Sequence, residues 1–225
     1  MDSGGVVLSP YDSERVSGLK EAYRQRKGVI EGRIREFERF LEGDDEDVFA
    51  ELCFCICTPQ SKARTCDRAV GRLKEIGILY NGTEEDIASG LRGVRFRRNK
   101  ARFIVTARDE FSSGGRIRIK GKLSDRPDAR ELREWLVKNV KGLGYKEASH
   151  FLRNIGLGLD MAILDRHILK NLKLAGVIDT VPVTLTRRRY LEIERMAQAF
   201  SKEIGIPMRH LDLLLWSQET GEVFR

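Results

Sequence analysis

A lysine and an aspartate are the residues of this chain whose types and spacing most clearly suggest chemistry. Lys146 lies in the segment KGLGYKEA at residues 141–148, and Asp165 follows nineteen residues later in the segment AILDRHIL. A neutral lysine amine is a nucleophile, and an ionised carboxylate can stabilise a developing positive charge. The pair predicts covalent catalysis at the lysine, provided that the fold brings the two side chains together.

Lys146 is expected in the first turn of a helix that covers Lys146–Ile155. A positive charge is unfavourable there because of the helix dipole, and this favours the neutral form of the amine. An ordinary solvated surface lysine is the structural alternative.

Asp165 is expected to cap the helix that begins RHIL, which keeps its carboxylate ionised. The helix before it is about 15 Å long, and the link 156–164 can span up to about 30 Å. The chain can therefore return and place Asp165 near Lys146. The alternative is a simple N-cap aspartate without a catalytic role.

Two glycines, Gly142 and Gly144, predict a tight turn between two helices. Glycine permits a positive φ and lets another backbone approach closely. The amides of Gly144, Tyr145 and Lys146 would point out of the start of the second helix, where unpaired donors and the helix dipole suit a phosphate. Such a contact positions a nucleic-acid backbone without reading its sequence. A plain helical turn is the alternative.

Hydrophobic periodicity predicts that these residues are carried by an all-α chain. The segment 112–122, SSGGRIRIKGK, is expected to be the main loop, since a short strand there has no obvious partner. Thr83 is expected to cap a short helix, with Asp86 three residues later. The other helices are expected near residues 30–41, 48–57, 61–77, 98–111, 128–140, 146–155, 165–174, 187–204 and 207–219.

Charge and hydropathy narrow the class of protein. The chain carries 41 Lys and Arg against 34 Asp and Glu, a formal net charge of +7, which favours a polyanionic partner such as nucleic acid. No apolar run reaches the ~20 residues that span a bilayer, and no secretory signal is visible. A cytoplasmic protein that does not bind membranes is expected, and nothing indicates more than a monomer.

The cysteines and histidines do not form a recognisable metal site. The spacing of the cysteines matches no zinc motif, so buried thiols are expected, with a metal or redox role as the alternative. The histidines are scattered, and no catalytic role is assigned to them. These residues are Cys53, Cys55, Cys57, Cys66, His150, His167 and His210.

A basic segment surrounds one aromatic residue. In RFRRNKAR, residues 95–102, five basic side chains flank Phe96. Basic residues around an aromatic side chain suit phosphate contacts together with a wedge that unstacks a duplex. A solvated basic helix with Phe96 buried in the core is the alternative.

From about residue 28 to its C-terminus, the chain resembles the helix-hairpin-helix base-excision DNA glycosylases. The resemblance implies two helical domains that flank a DNA-binding cleft, one of residues 1–40 with 160–225 and one of residues 41–159 that ends in the hairpin. By it, Lys146 is the nucleophile and Asp165 the catalytic aspartate. A hairpin lysine also implies a lyase activity, because monofunctional relatives lack it.

Three segments are similar to the archaeal-type 8-oxoguanine DNA glycosylases: GVRFRRNKARF at 93–103, NIGL at 154–157, and the ending LDLLLWSQETGEVFR. Phe96 matches their wedge residue. Gln60, in CTPQS, matches the residue that enters the gap left by the flipped base.

The ending of the chain is expected to form the pocket for the damaged base. Trp216 matches the family's tryptophan, and Asp212 is expected beside it. Arg225 stands where that group usually ends in lysine, so the terminal carboxylate is the part of this position that carries over most directly.

The resemblance also bears on cofactors. Family hairpins bind a monovalent ion, Na or K, through main-chain carbonyls, and Lys138, Val140 and Leu143 match these positions. No cysteine follows Cys66, so the iron–sulfur cluster of the endonuclease-III branch is excluded, and no cofactor is required.

The activity that the resemblance implies is removal of 8-oxoguanine from duplex DNA through a lysine Schiff base, followed by β-elimination. The alternatives are a glycosylase for another lesion, such as an oxidised pyrimidine, and a non-catalytic helix-hairpin-helix module that only binds DNA.

Overall fold

The computed structural model describes residues 11–126 and 128–224. These residues confirm the all-α prediction, since they are helical apart from one short hairpin and the connections. The helices are α1 Ser13–Glu38, α2 Asp45–Cys57, α3 Ala63–Glu75, α4 Ile78–Asn81, α5 Glu84–Gly90, α6 Arg97–Phe111, α7 Ile119–Ser124, α8 Ala129–Asn139, α9 Tyr145–Asn154, α10 Arg166–Leu174, α11 Arg187–Ile204 and α12 Met208–Thr220, with a 3-10 turn at Phe40–Glu42. No helix of the described residues is long and apolar enough to cross a membrane.

The chain divides into two compact units. Among the described residues, the terminal unit consists of residues 11–34 and 160–224, and the central unit consists of residues 35–126 and 128–159. The first boundary falls inside α1, whereas the sequence analysis placed it after residue 40.

The central unit is built around α2. Asp44 caps this helix by accepting a hydrogen bond from the amide of Asp47, and every residue from Val48 to Cys57 is buried. Helices α3, α6, α7 and α9 pack against it. The four cysteines are free and buried, as the sequence predicted. Burial raises the pKa of the Cys66 thiol, so this sulfur is a core group and not a reactive thiolate.

The segment 112–122 corrects one prediction. Strands β1, Ser112–Ser113, and β2, Arg116–Ile117, pair with each other as an antiparallel hairpin. The partner that seemed to be missing therefore lies within the same segment. Gly114 and Gly115 have φ values of 58° and 73°, the left-handed conformations that a two-residue hairpin turn requires.

Helix caps follow the sequence closely. Thr83 and Asp86 form a reciprocal capping box at the start of α5. Asp165 caps α10, as predicted. Pro207 is the N-cap of α12, so this helix begins at Met208 and not at residue 207 as expected.

In the terminal unit, α10 and α11 pack against α12. The phenol of Tyr23 in α1 lies 2.8 Å from Nδ1 of His210, which ties α1 to α12. Burial lowers the pKa of His210, consistent with a neutral ring that supports the fold.

Candidate functional site

The turn between α8 and α9 takes the predicted hairpin form, with one difference. Gly142 has a φ of 88°, and a Cβ added there would lie 2.6 Å from Cδ2 of Phe103. Gly144 instead has an extended conformation, with a φ of −92°. Only Gly142 therefore uses the conformational freedom that was expected of both glycines.

Two of the three predicted amide donors lie in the first turn of α9. Ala148 makes the first intrahelical bond of this helix, from its amide to the carbonyl of Gly144. The amides of Tyr145 and Lys146 precede this bond, so the helix itself supplies no acceptor for them. The third expected donor, the amide of Gly144, already donates to Oε2 of Glu147 at 3.2 Å.

Lys146 is not a solvated surface side chain. Its side chain is 22% exposed, and Nζ lies 3.7 Å from Oε1 of Glu147. Nζ also donates to Oγ1 of Thr58 over a long 3.4 Å contact. Thr58 is the C-cap of α2. The lysine is thus held between the start of α9 and the end of α2, where its amine is sheltered but still reaches solvent.

Tyr145 turns its side chain onto α8. Its hydroxyl donates to the carboxylate of Glu134, and the guanidinium of Arg133 lies 5.6 Å from its ring centroid. The side chain of Tyr145 therefore packs against α8 and supports the hairpin.

Asp165 lies in the terminal unit and is partly buried. Its Oδ1 accepts hydrogen bonds from the amides of His167 and Ile168, both at 2.8 Å. Within residues 11–126 and 128–224, both of the bonds to this carboxylate use the same oxygen, Oδ1. The cap fixes the carboxylate and leaves Oδ2 for chemistry.

The residues expected around the damaged base lie on α12. Asp212 is 6% exposed, and Trp216 lies one helical turn further on the same face. The ring of Phe224 packs against Trp216 with a centroid distance of 6.2 Å, so the tail folds back onto α12. Arg225 lies outside the described residues.

Gln60 and Phe96 share an uncommon backbone conformation. Their φ values are 55° and 57°, and among the described residues no other non-glycine residue has a positive φ. This conformation costs roughly 1–2 kcal/mol per residue. Such strain persists where the surrounding structure enforces it, often at functional sites.

Phe96 is an exposed aromatic residue. Its side chain is 52% exposed, so the alternative that placed it in the core is wrong. It stands at the N-cap of α6 beside a shallow groove of about 540 Å³, and the guanidinium of Arg95 lies 4.9 Å from its ring centroid. An exposed ring with a cation against it suits insertion between stacked bases.

The three positions expected to bind a monovalent ion lie at the end of α8 and in the turn. Val140 is the C-cap of α8, and its carbonyl accepts from the amide of Leu143 at 3.3 Å. A carbonyl oxygen has two lone pairs, so this bond leaves one for an ion. The ion and the role of Lys138 remain predictions. No group of three His, Cys, Asp or Glu suited to a metal occurs among the residues that the structure describes.

Lys100 was expected among the basic side chains around Phe96 that suit phosphates, but it is only 4% exposed and therefore has a different role. Its Nζ donates to the carbonyls of Cys57 and Pro59, at 2.6 and 2.8 Å. A signal was present, since Lys100 has helical spacing with the buried residues Ile104, Ala107 and Phe111 of α6. A lysine at the head of a buried stripe needs buried acceptors.

Comparisons with known proteins all find similarity to 8-oxoguanine DNA glycosylases. A model of the 8-oxoguanine DNA glycosylase family matches residues 30–206. The chain is 43% identical over 214 residues to an 8-oxoguanine DNA glycosylase/AP lyase of Fusobacterium nucleatum, covering 95% of this chain and 99% of the relative. It is 45% identical over 203 residues to one of Korarchaeum cryptofilum, covering 88% and 90%.

A solved structure is also similar. It is the 8-oxoguanine glycosylase/lyase of Methanocaldococcus jannaschii in complex with a 15mer DNA that contains 8-oxoguanine. The TM-score is 0.83 at 39% sequence identity, with 93% of this chain and 99% of that chain covered.

Proposed function

Since the chain belongs to the 8-oxoguanine DNA glycosylase family, we propose that it excises 8-oxoguanine from duplex DNA and then cleaves the strand at the abasic site. The observation that carries the proposal is the sheltered amine of Lys146, two residues after a glycine cap whose helix start suits a phosphate. Asp165 supplies the carboxylate, held by its cap on α10.

Base release needs a nucleophile and a stabilised cation. The lone pair of neutral Lys146 attacks C1′ of the sugar, and the bond from C1′ to the base breaks. Its electron pair leaves with 8-oxoguanine, which takes up a proton. Asp165 stabilises the positive charge that develops on the sugar and assists the proton transfers. The sugar ring opens to a protonated Schiff base on Lys146.

Strand cleavage follows from the same intermediate. The Schiff base acidifies the C2′ hydrogen, its removal expels the 3′ phosphate, and the lysine is then released by hydrolysis. Phe96 would wedge into the duplex while Gln60 fills the gap, which offsets the few kcal/mol that base flipping costs. Asp212, Trp216 and Arg225 would hold the extruded base.

We place this reaction on nucleoid DNA in the cytoplasm of a prokaryote, with the protein acting as a monomer. No cofactor is needed beyond a monovalent ion on the carbonyls of Lys138, Val140 and Leu143. Sedimentation of the free protein, and DNA affinity in K⁺, Na⁺ and Li⁺ salts, test these two expectations.

Borohydride trapping on 8-oxoguanine duplex DNA tests the chemistry. Lys146→Gln should abolish both the covalent adduct and strand cleavage while DNA binding remains. Lys141→Gln, an exposed lysine of the same hairpin, is the matched control and should trap like wild type. Full trapping by Lys146→Gln would show that the nucleophile is another residue.

The lesion is tested with a panel of duplexes. Preference for an oxidised pyrimidine would move the protein to another lesion class, and binding without release of any base would make it a DNA-binding module. Deleting Arg225 should reduce discrimination of 8-oxoguanine from guanine. Unchanged discrimination would remove the terminus from the base pocket.

A further inference from the structure

Three residues at the start of α6 have separate surroundings in the central unit. Phe96 is the N-cap of α6, and Lys100 and Phe103 follow inside the helix. Phe96 is the exposed wedge candidate, and Phe103 packs under the hairpin at Gly142. Lys100, between them, contacts the turn that presents Gln60.

The ammonium of Lys100 fills its hydrogen-bonding capacity within that turn. Besides the carbonyls of Cys57 and Pro59, Nζ donates to Oγ of Ser61 at 3.0 Å. An ammonium has three donors, and these bonds use all of them. The turn itself is closed by a bond from the amide of Ser61 to the carbonyl of Thr58. Lys100 thus holds the backbone before Gln60 and the side chain of the residue after it.

The same serine connects Lys100 to the wedge. Oγ of Ser61 also accepts a hydrogen bond from the amide of Arg95, at 3.0 Å. Arg95 directly precedes Phe96. One buried cation and one hydroxyl therefore join the two turns whose exposed residues hold strained, positive-φ conformations.

We propose that Lys100 is a positioning residue for base flipping, whose ammonium fixes Gln60 and Phe96 in the conformations that part the strands. The inference rests on the proposed function, because it assigns a task within base excision. Lys100 does not touch the reacting atoms. Its effect passes through Ser61 and the two turns.

The energetics of burial agree with a positioning role. Burial lowers the pKa of Lys100, so its charge is held in the core at a desolvation cost. Lys100→Met would avoid that cost but would take a donor from the carbonyls of Cys57 and Pro59, so the variant should fold with reduced stability.

The test compares two substrates that differ in their need for flipping. In duplex DNA with 8-oxoguanine the strands must be parted, whereas a single strand with a preformed abasic site needs no flipping. Lys100→Met should slow excision from the duplex at least tenfold and change borohydride trapping on the single strand less than twofold. A 2-aminopurine next to the lesion should show reduced unstacking in the variant.

Lys120→Met is the matched control. Nζ of Lys120 also donates to a backbone carbonyl of the central unit, that of Gly43 at 2.8 Å, but at the other end of α2. This variant should behave like wild type on both substrates. Wild-type excision by Lys100→Met, or equal losses on both substrates, would overturn the proposal.

Hydrogen exchange separates failure of this inference from failure of the proposed function. If the wild-type protein excises no base, the proposed function fails, but the role of Lys100 in holding the two turns can still be tested. Lys100→Met should speed amide exchange in residues 57–62 and 93–97 and leave the hairpin 140–148 unchanged. Unaltered exchange in both turns would show that Lys100 does not hold them.

Ser61→Ala gives a second route if Lys100→Met does not fold. It removes the hydroxyl that Lys100 and Arg95 share, and it leaves both carbonyl contacts of Lys100 in place. Duplex excision should fall in the same direction by a smaller factor, again without loss of single-strand trapping. Equal activity on the duplex would rule out the shared serine as the link.

Discussion

At the scale of single residues, Gln60 and Phe96 hold backbone conformations that their own chemistry disfavours. Glycine would adopt either conformation at little cost. The backbone at each position would accept glycine more easily, so the large side chain is a candidate for a contact that offsets this strain. This links local strain to the predicted contact with DNA.

Two substitutions of Gln60 separate strain from function. Gln60→Gly and Gln60→Ala both lose the side chain and should lower excision from duplex DNA by similar factors. Only glycine relieves the positive φ, so Gln60→Gly should be more stable than Gln60→Ala by about 1 kcal/mol. Urea unfolding of the two variants measures this difference. Equal stabilities would mean that the turn relaxes when the side chain is removed.

Asp165 combines a structural and a predicted catalytic role in one carboxylate. Asn caps helices about as well as Asp, so Asp165→Asn should keep stability within about 0.5 kcal/mol, whereas Asp165→Ala should lose about 1 kcal/mol. Both variants lack the charge, and excision should fall by about two orders of magnitude or more in each. A fully active Asp165→Asn would leave this residue as a cap only.

At the scale of elements, the C-terminal end of α2 gathers two lysines. Lys100 donates to the carbonyl of Cys57, and Lys146 reaches the hydroxyl of Thr58. The end of a helix carries partial negative charge and its start carries partial positive charge. The end of α2 therefore attracts the positive charge of an ammonium at Lys146, whereas the start of α9 repels it. The sequence indicates only the contribution of α9, because Thr58 is distant along the chain.

The hairpin depends on Gly142 as an element. Gly142→Ala forces an alanine into a positive φ, at roughly 1–2 kcal/mol, and drives its Cβ against Phe103. Stability and affinity for DNA should both fall. Gly71→Ala is the control, because a Cβ added at Gly71 in α3 would have no heavy atom of another element within 4 Å. This substitution should stabilise the helix by about 0.5–1 kcal/mol. An undiminished affinity in Gly142→Ala would contradict the phosphate role.

At the scale of the whole molecule, the net charge of +7 favours a polyanion without selecting one. Affinity for DNA should fall linearly with the logarithm of salt concentration. Arg97, exposed beside Phe96, is a candidate phosphate contact. Arg97→Gln should reduce the magnitude of the salt slope by about 1, whereas Phe96→Ala should weaken binding without changing the slope. An unchanged slope in Arg97→Gln would remove Arg97 from the interface.

Features that depend on neighbours within a few residues can be predicted from the amino-acid sequence. The caps at Thr83 and Asp165, the helical class and the glycine turn before Lys146 follow from side chains and amides one helical turn apart. The family, too, was readable from short segments around Lys146 and Phe96. All of the residues that determine such features are close together in the sequence, so the tertiary structure is not needed to predict them.

The contacts that hold the exposed residues Gln60 and Phe96 depend on tertiary packing. The acceptors of Lys100 lie 41 and 43 residues before it, and Thr58 lies 88 residues before Lys146. A buried ammonium is stable only where distant carbonyls converge on it, and no local pattern specifies that convergence. For the same reason no local pattern indicates the strained turns of Gln60 and Phe96, which are held by contacts between distant segments.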